Sequence, residues 1–217
     1  MQKIVQETQI FGPIMSYVYY AHCYSLLIEA HEHYQKKSFR NRYTILGANG
    51  PITLSIPLIK GKNQKTPIKK VKIAYHESWY TNHIHSIQSA YGNAPYYHYF
   101  SDEIYNLLRS QEEHLYSFNL RALKLIRKFL SLSFEISETK CFSKVHPDML
   151  DCRNKKLNDN ITSSSRPGYV QVFEDKFGFV TGLSILDLLF NLGPEAYLYL
   201  QNYKIDDPEI LKNGNKR

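Results

Sequence analysis

The stretch Gly182-Leu-Ser-Ile-Leu-Asp-Leu-Leu-Phe-Asn-Leu-Gly-Pro-Glu195 reads as a short helix with both ends marked. Ser184 is a helix-capping residue, and Asp187 stands three positions later, where a capping-box acid sits. Gly193-Pro194 supplies the stop, because glycine tolerates a left-handed turn and proline cannot continue a helix. Between these signals Ile185, Leu186, Leu188, Leu189, Phe190 and Leu192 cover nearly every side, the pattern of a buried helix. Asp187 and Asn191 lie four residues apart on one face of it. Burying two polar side chains without partners costs about 1–3 kcal/mol each. They therefore mark either an internal polar network or the floor of a site.

Working outward, Tyr169 to Phe173 reads as a strand, with Phe177-Gly-Phe179 leading into the buried helix. Towards the N-terminus, Ile4 to Ile10 reads as a strand broken by Gly12-Pro13, and Ile14 to Glu29 carries helical spacing through Ile14, Val18, Ala21 and Leu26 or Leu27. His31 to Ile45 is strand-like, interrupted at Lys36-Lys-Ser38. Asn49-Gly50 is a hairpin turn signal, and Ile52 to Leu58 alternates as its partner strand. Ile68 to Tyr75 reads as a third strand. From Ser78 the period changes: Trp79, His83, Ile87 and Tyr91 recur every fourth residue along one helix face, which ends at Gly92. Helices are expected over Asp102–Leu108 and Glu112–Leu132. Residues 133–168 lose the pattern and read as a long exposed loop, and the polar tail 204–217 as a frayed end. The expectation is one α/β domain over 1–203, a mixed sheet with a β-hairpin packed by several helices.

The 217 residues, 43% hydrophobic and 22% charged, suit a single core. No apolar run approaches the ~18 residues of a membrane span. The polar start, Met1 to Gln9, lacks a basic-then-apolar leader, so the expected location is the cytoplasm. Cys23, Cys141 and Cys152 have no paired spacing, which argues against a disulfide framework or a thiolate zinc site. The net charge of +7 suits an anionic partner, although Lys60, Lys62, Lys65, Lys69, Lys70 and Lys72 crowd one segment that also reads as a solvated loop and strand edge. With eighteen tyrosines, the charge keeps nucleic acid as a lesser alternative, without a recognised motif. Phosphate-loop, dinucleotide, serine-elbow and zinc-protease motifs are absent.

Two constellations carry chemistry. In Phe39-Arg-Asn-Arg-Tyr43, strand geometry puts Arg40 and Arg42 on one face, two forks suited to phosphate or carboxylate, with Lys36 nearby. Solvated edge cations explain the same residues, and both readings stay open. His83, between Trp79 and Ile87, is either a packing histidine or a general acid–base. His31-x-His33 and His83-x-His85 lack a third ligand by spacing, so no metal site is assigned. Nothing names a cofactor.

Several pieces, in order, resemble the WbqC-like protein family: Glu32-His-Tyr-x-Lys36 with Phe39-Arg-Asn-Arg42, Gly47-Ala-Asn-Gly50, Leu54-x-Ile-Pro57, Trp79-x-x-x-His83-x-x-x-Ile87-x-x-Ala-Tyr91-x-x-Ala-Pro95, Tyr169-Val-Gln-Val-Phe173 and Leu183-Ser-Ile-x-Asp-Leu-Leu-Phe-Asn191-x-Gly-Pro-Glu195. The likeness is closest to the short Bacteroidetes-type members. Phe11-Gly-Pro-Ile-Met-Ser16 replaces a Gln-Pro-x-Tyr-Leu-Pro signature common in the family, and Asp151-Cys-Arg153 corresponds to a family Asp-x-Arg. The resemblance implies a role in surface-polysaccharide (O-antigen) biosynthesis, with an aminoacyl, glycine-type or sugar-modifying transferase as the enzyme reading and a non-catalytic binding or scaffold protein as the alternative. On this reading His83 and Asp187 are catalytic. Lys36, Arg40, Asn41, Arg42, Asn49, Trp79, Tyr91 and Asn191 bind an anionic small molecule or nucleotide-linked sugar.

Overall fold

Residues 2–59, 65–154 and 168–203 are described by the structure, a computed structural model. Four parallel strands form a sheet in the order β5-β2-β1-β6. Strand β1 (Gln2–Gln6) is central, and the β-branched Ile4 and Val5 at its middle are fully buried. It passes through helix α1 (Ile14–Ala21) to β2 (Cys23–Ile28), which pairs with it up to Gln6 against Ile28. Strand β5 (Glu135–Glu138) extends beside β2, and β6 (Leu150–Asp151) pairs with Ile4 and Val5 on the other flank of β1.

A separate antiparallel pair, β3 (Arg42–Gly47) and β4 (Gly50–Ser55), forms the expected hairpin, with Arg42 opposite Ser55 and Gly47 opposite Gly50. The α/β class holds, with the parallel and antiparallel strands divided between two sheets. At the turn the positive φ, +110°, falls on Gly50, where a missing Cβ makes it inexpensive.

Helix α2 (Trp79–Tyr91) packs on β3, and α3 (Tyr97–Leu108) lies between α2 and α4 (Leu115–Phe129). A short turn of helix, α5 (Glu174–Phe177), precedes α6 (Ile185–Leu192) and α7 (Ala196–Asn202), and both of these contact α1. Helix α6 is buried all round, as its composition requires. Its Phe190 ring sits 5.2 Å from Tyr91 and 5.6 Å from Tyr97, and burying such a side chain stabilises by about 1.5–3 kcal/mol. Ser184 caps α6 by accepting from the Leu186 amide, while its hydroxyl donates to the Phe11 carbonyl. The capping box is not completed, because the Asp187 carboxylate takes other partners.

Several expectations are corrected. The helix over Ile14–Glu29 stops at Ala21, since the backbone of Cys23–Ile28 is claimed by neighbouring strands on both sides, and tertiary pairing overrides helical spacing. Within 133–168 lie β5 and β6, which are four and two residues long and too short to show a period; β5 is a polar edge strand. Ile68–Tyr75 is not a strand but a 3₁₀ turn, Ile68–Lys70, followed by single bridges from Ile73 to Leu58 and Lys72 to His114. Among the described residues Tyr169–Phe173 has no partner strand, and it folds over α6 through its side chains. Lys60, Lys62, the polar run 155–167 and the tail 204–217 lie outside the described residues.

Candidate functional site

The sheet order reverses between β1 and β6: the chain moves from β1 to β2 on one side and returns to β6 on the other. In open parallel sheets, ligands bind beyond the carboxyl ends of the strands at such a point. Every strand of this sheet delivers a polar group there. Glu7 follows β1, Glu29 and Glu32 follow β2, Thr139 follows β5, and Asp151, Arg153 and Asn154 end or follow β6. A crevice of about 650 Å3 opens over them, walled by His31, Glu32, His33, Gln35, Phe142, Lys144, Asp151, Arg153 and Asn154.

Its floor is a network of opposite charges. Glu29, fully buried, accepts from Arg153 at 2.8 Å, from the Thr139 hydroxyl at 2.8 Å and from the His31 amide at 2.9 Å. Arg153 also donates to both oxygens of Asp151 and to the carbonyls of Ser143 and Lys144. Burial alone would raise the Asp151 carboxyl, but hydrogen bonds from Arg153 outweigh it and hold the group below the usual carboxylate range. Arg40, 0% exposed, forms a bidentate pair with Glu32 and donates to the Asn154 side chain at 2.9 Å. Burial raises the Glu32 carboxyl despite that partner. Asn154, held at φ +56°, gives its amide to Glu7.

The phosphate position of a dinucleotide fold is not available. The α1 N-terminus is closed by the segment before α6: the Ile14 amide bonds Leu183, and Gly12 accepts from Ile185. This agrees with the missing glycine signature.

The residues singled out in the sequence fall into distinct networks. Arg40 and Arg42 do not share a strand face, because β3 begins only at Arg42 and the chain turns at Lys37, φ +55°. Arg40 joins the crevice floor, and Arg42 is half-buried. Asn41 accepts from the Tyr34 hydroxyl and donates to the Ile56 carbonyl. Lys36 and Asn49 are exposed, Asn49 in the hairpin turn. His83 lies between Trp79 and Tyr43. Its Nε2 faces the Ser55 carbonyl, an acceptor, so Nε2 carries the proton and Nδ1 accepts from the Tyr43 hydroxyl. Burial lowers its pKa to about 4, so the ring is neutral and its polar atoms are satisfied at neutral pH.

Asp187 and Asn191 anchor a third network. The Asp187 carboxylate accepts from the Tyr169 hydroxyl and from Gln171, and Gln171 ties down both backbone groups of Val180. Asn191 donates to the Asp187 carbonyl, one turn back. Burial pushes the Asp187 carboxyl up from 3.8 to about 6, with Tyr169, Gln171 and Tyr91 opposing it. The fold therefore prefers the protonated acid. Its contribution is full below pH ~3.8 and lost as pH rises through about 6, a change of about 3 kcal/mol. Urea unfolding from pH 4 to 8 should show Asp187→Asn gaining about 3 kcal/mol on the wild type across that range. A pH-independent difference would remove this assignment.

The sequence reading passed over Glu7, Glu29, Phe142 and Lys144. The available signal was the acid directly after a strand in a strand–helix–strand unit: Gln6-Glu7 and Ile28-Glu29. In the lysine-rich segment Lys69 pairs with Glu138 at 2.7 Å and Lys72 with Glu113 at 2.6 Å. Among the described residues no helix is long and apolar enough to cross a membrane.

The architecture is thus that of an open α/β protein with a polar crevice at the reversal of its parallel sheet. Residues 11–162 match the family model described as the WbqC-like protein family, and the chain belongs to that family. Comparison with curated proteins and with solved structures returns no match.

Proposed function

We propose that the protein acts in surface-polysaccharide assembly and binds a sugar-bearing substrate in the crevice at the carboxyl ends of β1, β2 and β6, as a sugar-modifying or aminoacyl-type transferase. The observation that carries this reading is the convergence of groups from all four parallel strands beneath one open cavity. The glycan context comes from the family resemblance. In this reading the Glu29–Arg153–Asp151 and Glu32–Arg40 networks set the floor. Lys144 meets a phosphate or carboxylate of the substrate. His31 and His33, imidazoles on the wall, move protons. His83, Asp187 and Asn191 support this arrangement from a distance by fixing the hairpin and the 169–180 segment.

A non-catalytic binding protein is the second reading. The fact that His83 is neutral and fully hydrogen-bonded favours it over a catalytic His83.

Calorimetric titration with nucleotide-linked sugars such as UDP-N-acetylglucosamine tests the site. The double variant His33→Ala/Lys144→Glu should bind at least about tenfold more weakly than wild type, a loss of about 1.4 kcal/mol, and Arg42→Ala should bind normally. Unchanged binding by the double variant would rule the crevice out, and selective loss in Arg42→Ala would move the site to β3.

A further inference from the structure

Phe142 is out of place for a side chain of its type. It is 53% exposed, at the wall of the crevice, where burial would have stabilised it. It is also held. The guanidinium of Arg153 lies over its ring, 5.6 Å from the centroid. The same guanidinium grips the carbonyls of Ser143 and Lys144, the two residues that follow, and is itself fixed by Glu29 and Asp151. One face of the ring is therefore backed by an anchored group while much of the ring stays open to solvent. Around it stand hydrogen-bonding groups of both kinds. Each Glu32 oxygen takes one bond from Arg40 and keeps a second lone pair, and His31, His33, Gln35 and Lys144 are exposed. In and beneath the walls, four carboxylates (Glu7, Glu29, Glu32, Asp151) face three permanent cations (Arg40, Arg153, Lys144), so the crevice is not a basic anion trap.

From these features we infer that Phe142 is a stacking platform for a neutral pyranose ring, whose hydroxyls donate to Glu32 while its flat C–H face lies on the phenyl ring. This deepens the proposed function and rests on it: the sugar moiety is itself gripped by the crevice, beside the phosphate or carboxylate that Lys144 meets. The chemistry fits both partners. An apolar face with hydroxyls round its edge matches an aromatic plate ringed by acceptors and donors.

Saturation-transfer NMR with the methyl glycosides of glucose, galactose and N-acetylglucosamine, and with UDP-N-acetylglucosamine, tests this on the full chain. At least one glycoside should bind the wild type. Phe142→Ala should weaken it by about tenfold or more, and Phe142→Trp, which keeps a plate, should retain it. Thermal melting reports whether the variants remain folded. Equal glycoside binding by wild type and Phe142→Ala overturns the platform and leaves the crevice standing. Binding of the nucleotide sugar without any glycoside also overturns it, because recognition would then run through the phosphates. Binding of none of the four overturns both the platform and the proposed function.

Discussion

Arg40→Ala is expected to destabilise the protein by about 3–5 kcal/mol, read as a lower urea midpoint with an unchanged slope. Arg40 is completely buried, so the substitution leaves the Glu32 carboxylate without its bidentate partner in a setting where burial already raises its pKa. Asn154 loses a donor at the same time. Against a total stability of about 5–15 kcal/mol, this is a large fraction. The cost arises from the stranded charge and not from the pair as such, because two opposite charges withdrawn from water repay little of their desolvation. The double variant Arg40→Met/Glu32→Leu should therefore recover most of the loss. A single variant within about 1 kcal/mol of wild type would show that the pair is not buried in solution. The same comparison separates scaffold from site: the double variant should fold and still lose glycoside binding, since Glu32 is one of the wall acceptors.

Gly193→Ala is expected to cost about 3–5 kcal/mol through two additive mechanisms. The residue ends α6 at φ +55° and ψ −127°, a backbone conformation open essentially to glycine alone. A Cβ there would also come within 2.4 Å of the Tyr96 ring, and Tyr96 is pinned by its amide to the Phe190 carbonyl. Adding Tyr96→Ala should relieve the steric part and leave the backbone part. Guanidinium melts of the two variants give the partition. Full recovery in the double variant would mean that the backbone imposes no penalty of its own.

How much of this was legible depends on where each residue's partners lie along the chain. Helices α2 and α6 were readable because their caps, stops and periods are local: Trp79 to Tyr91 spans the four-residue spacing, and Ser184 and Gly193 bound the other. The hairpin was readable from its turn. The parallel sheet was not, since its outer strands are only four and two residues long and pair with residues more than a hundred positions away. The facing of Arg40 does not follow strand alternation, because a left-handed residue at Lys37 precedes it and β3 begins only at Arg42. Asp187, buried on α6, requires partners and has them. Tyr169 and Gln171 meet it because two-residue spacing presents both to one side, although no strand forms there. Phe142 and Lys144 gave no local signal, and Arg153, close to both in space, holds their segment in place.

The position of β1 has a consequence for synthesis. This strand leaves the ribosome before its neighbours, yet one flank stays uncovered until residues 150–151 are made. At about 5–20 residues per second, the interval after β2 is roughly 6–25 s. During that time Ile4 and Val5 present an unpaired edge, the kind of surface on which nascent chains aggregate. Slow final closure by β6 and a need for chaperone protection during translation are the expected biological cost of this topology.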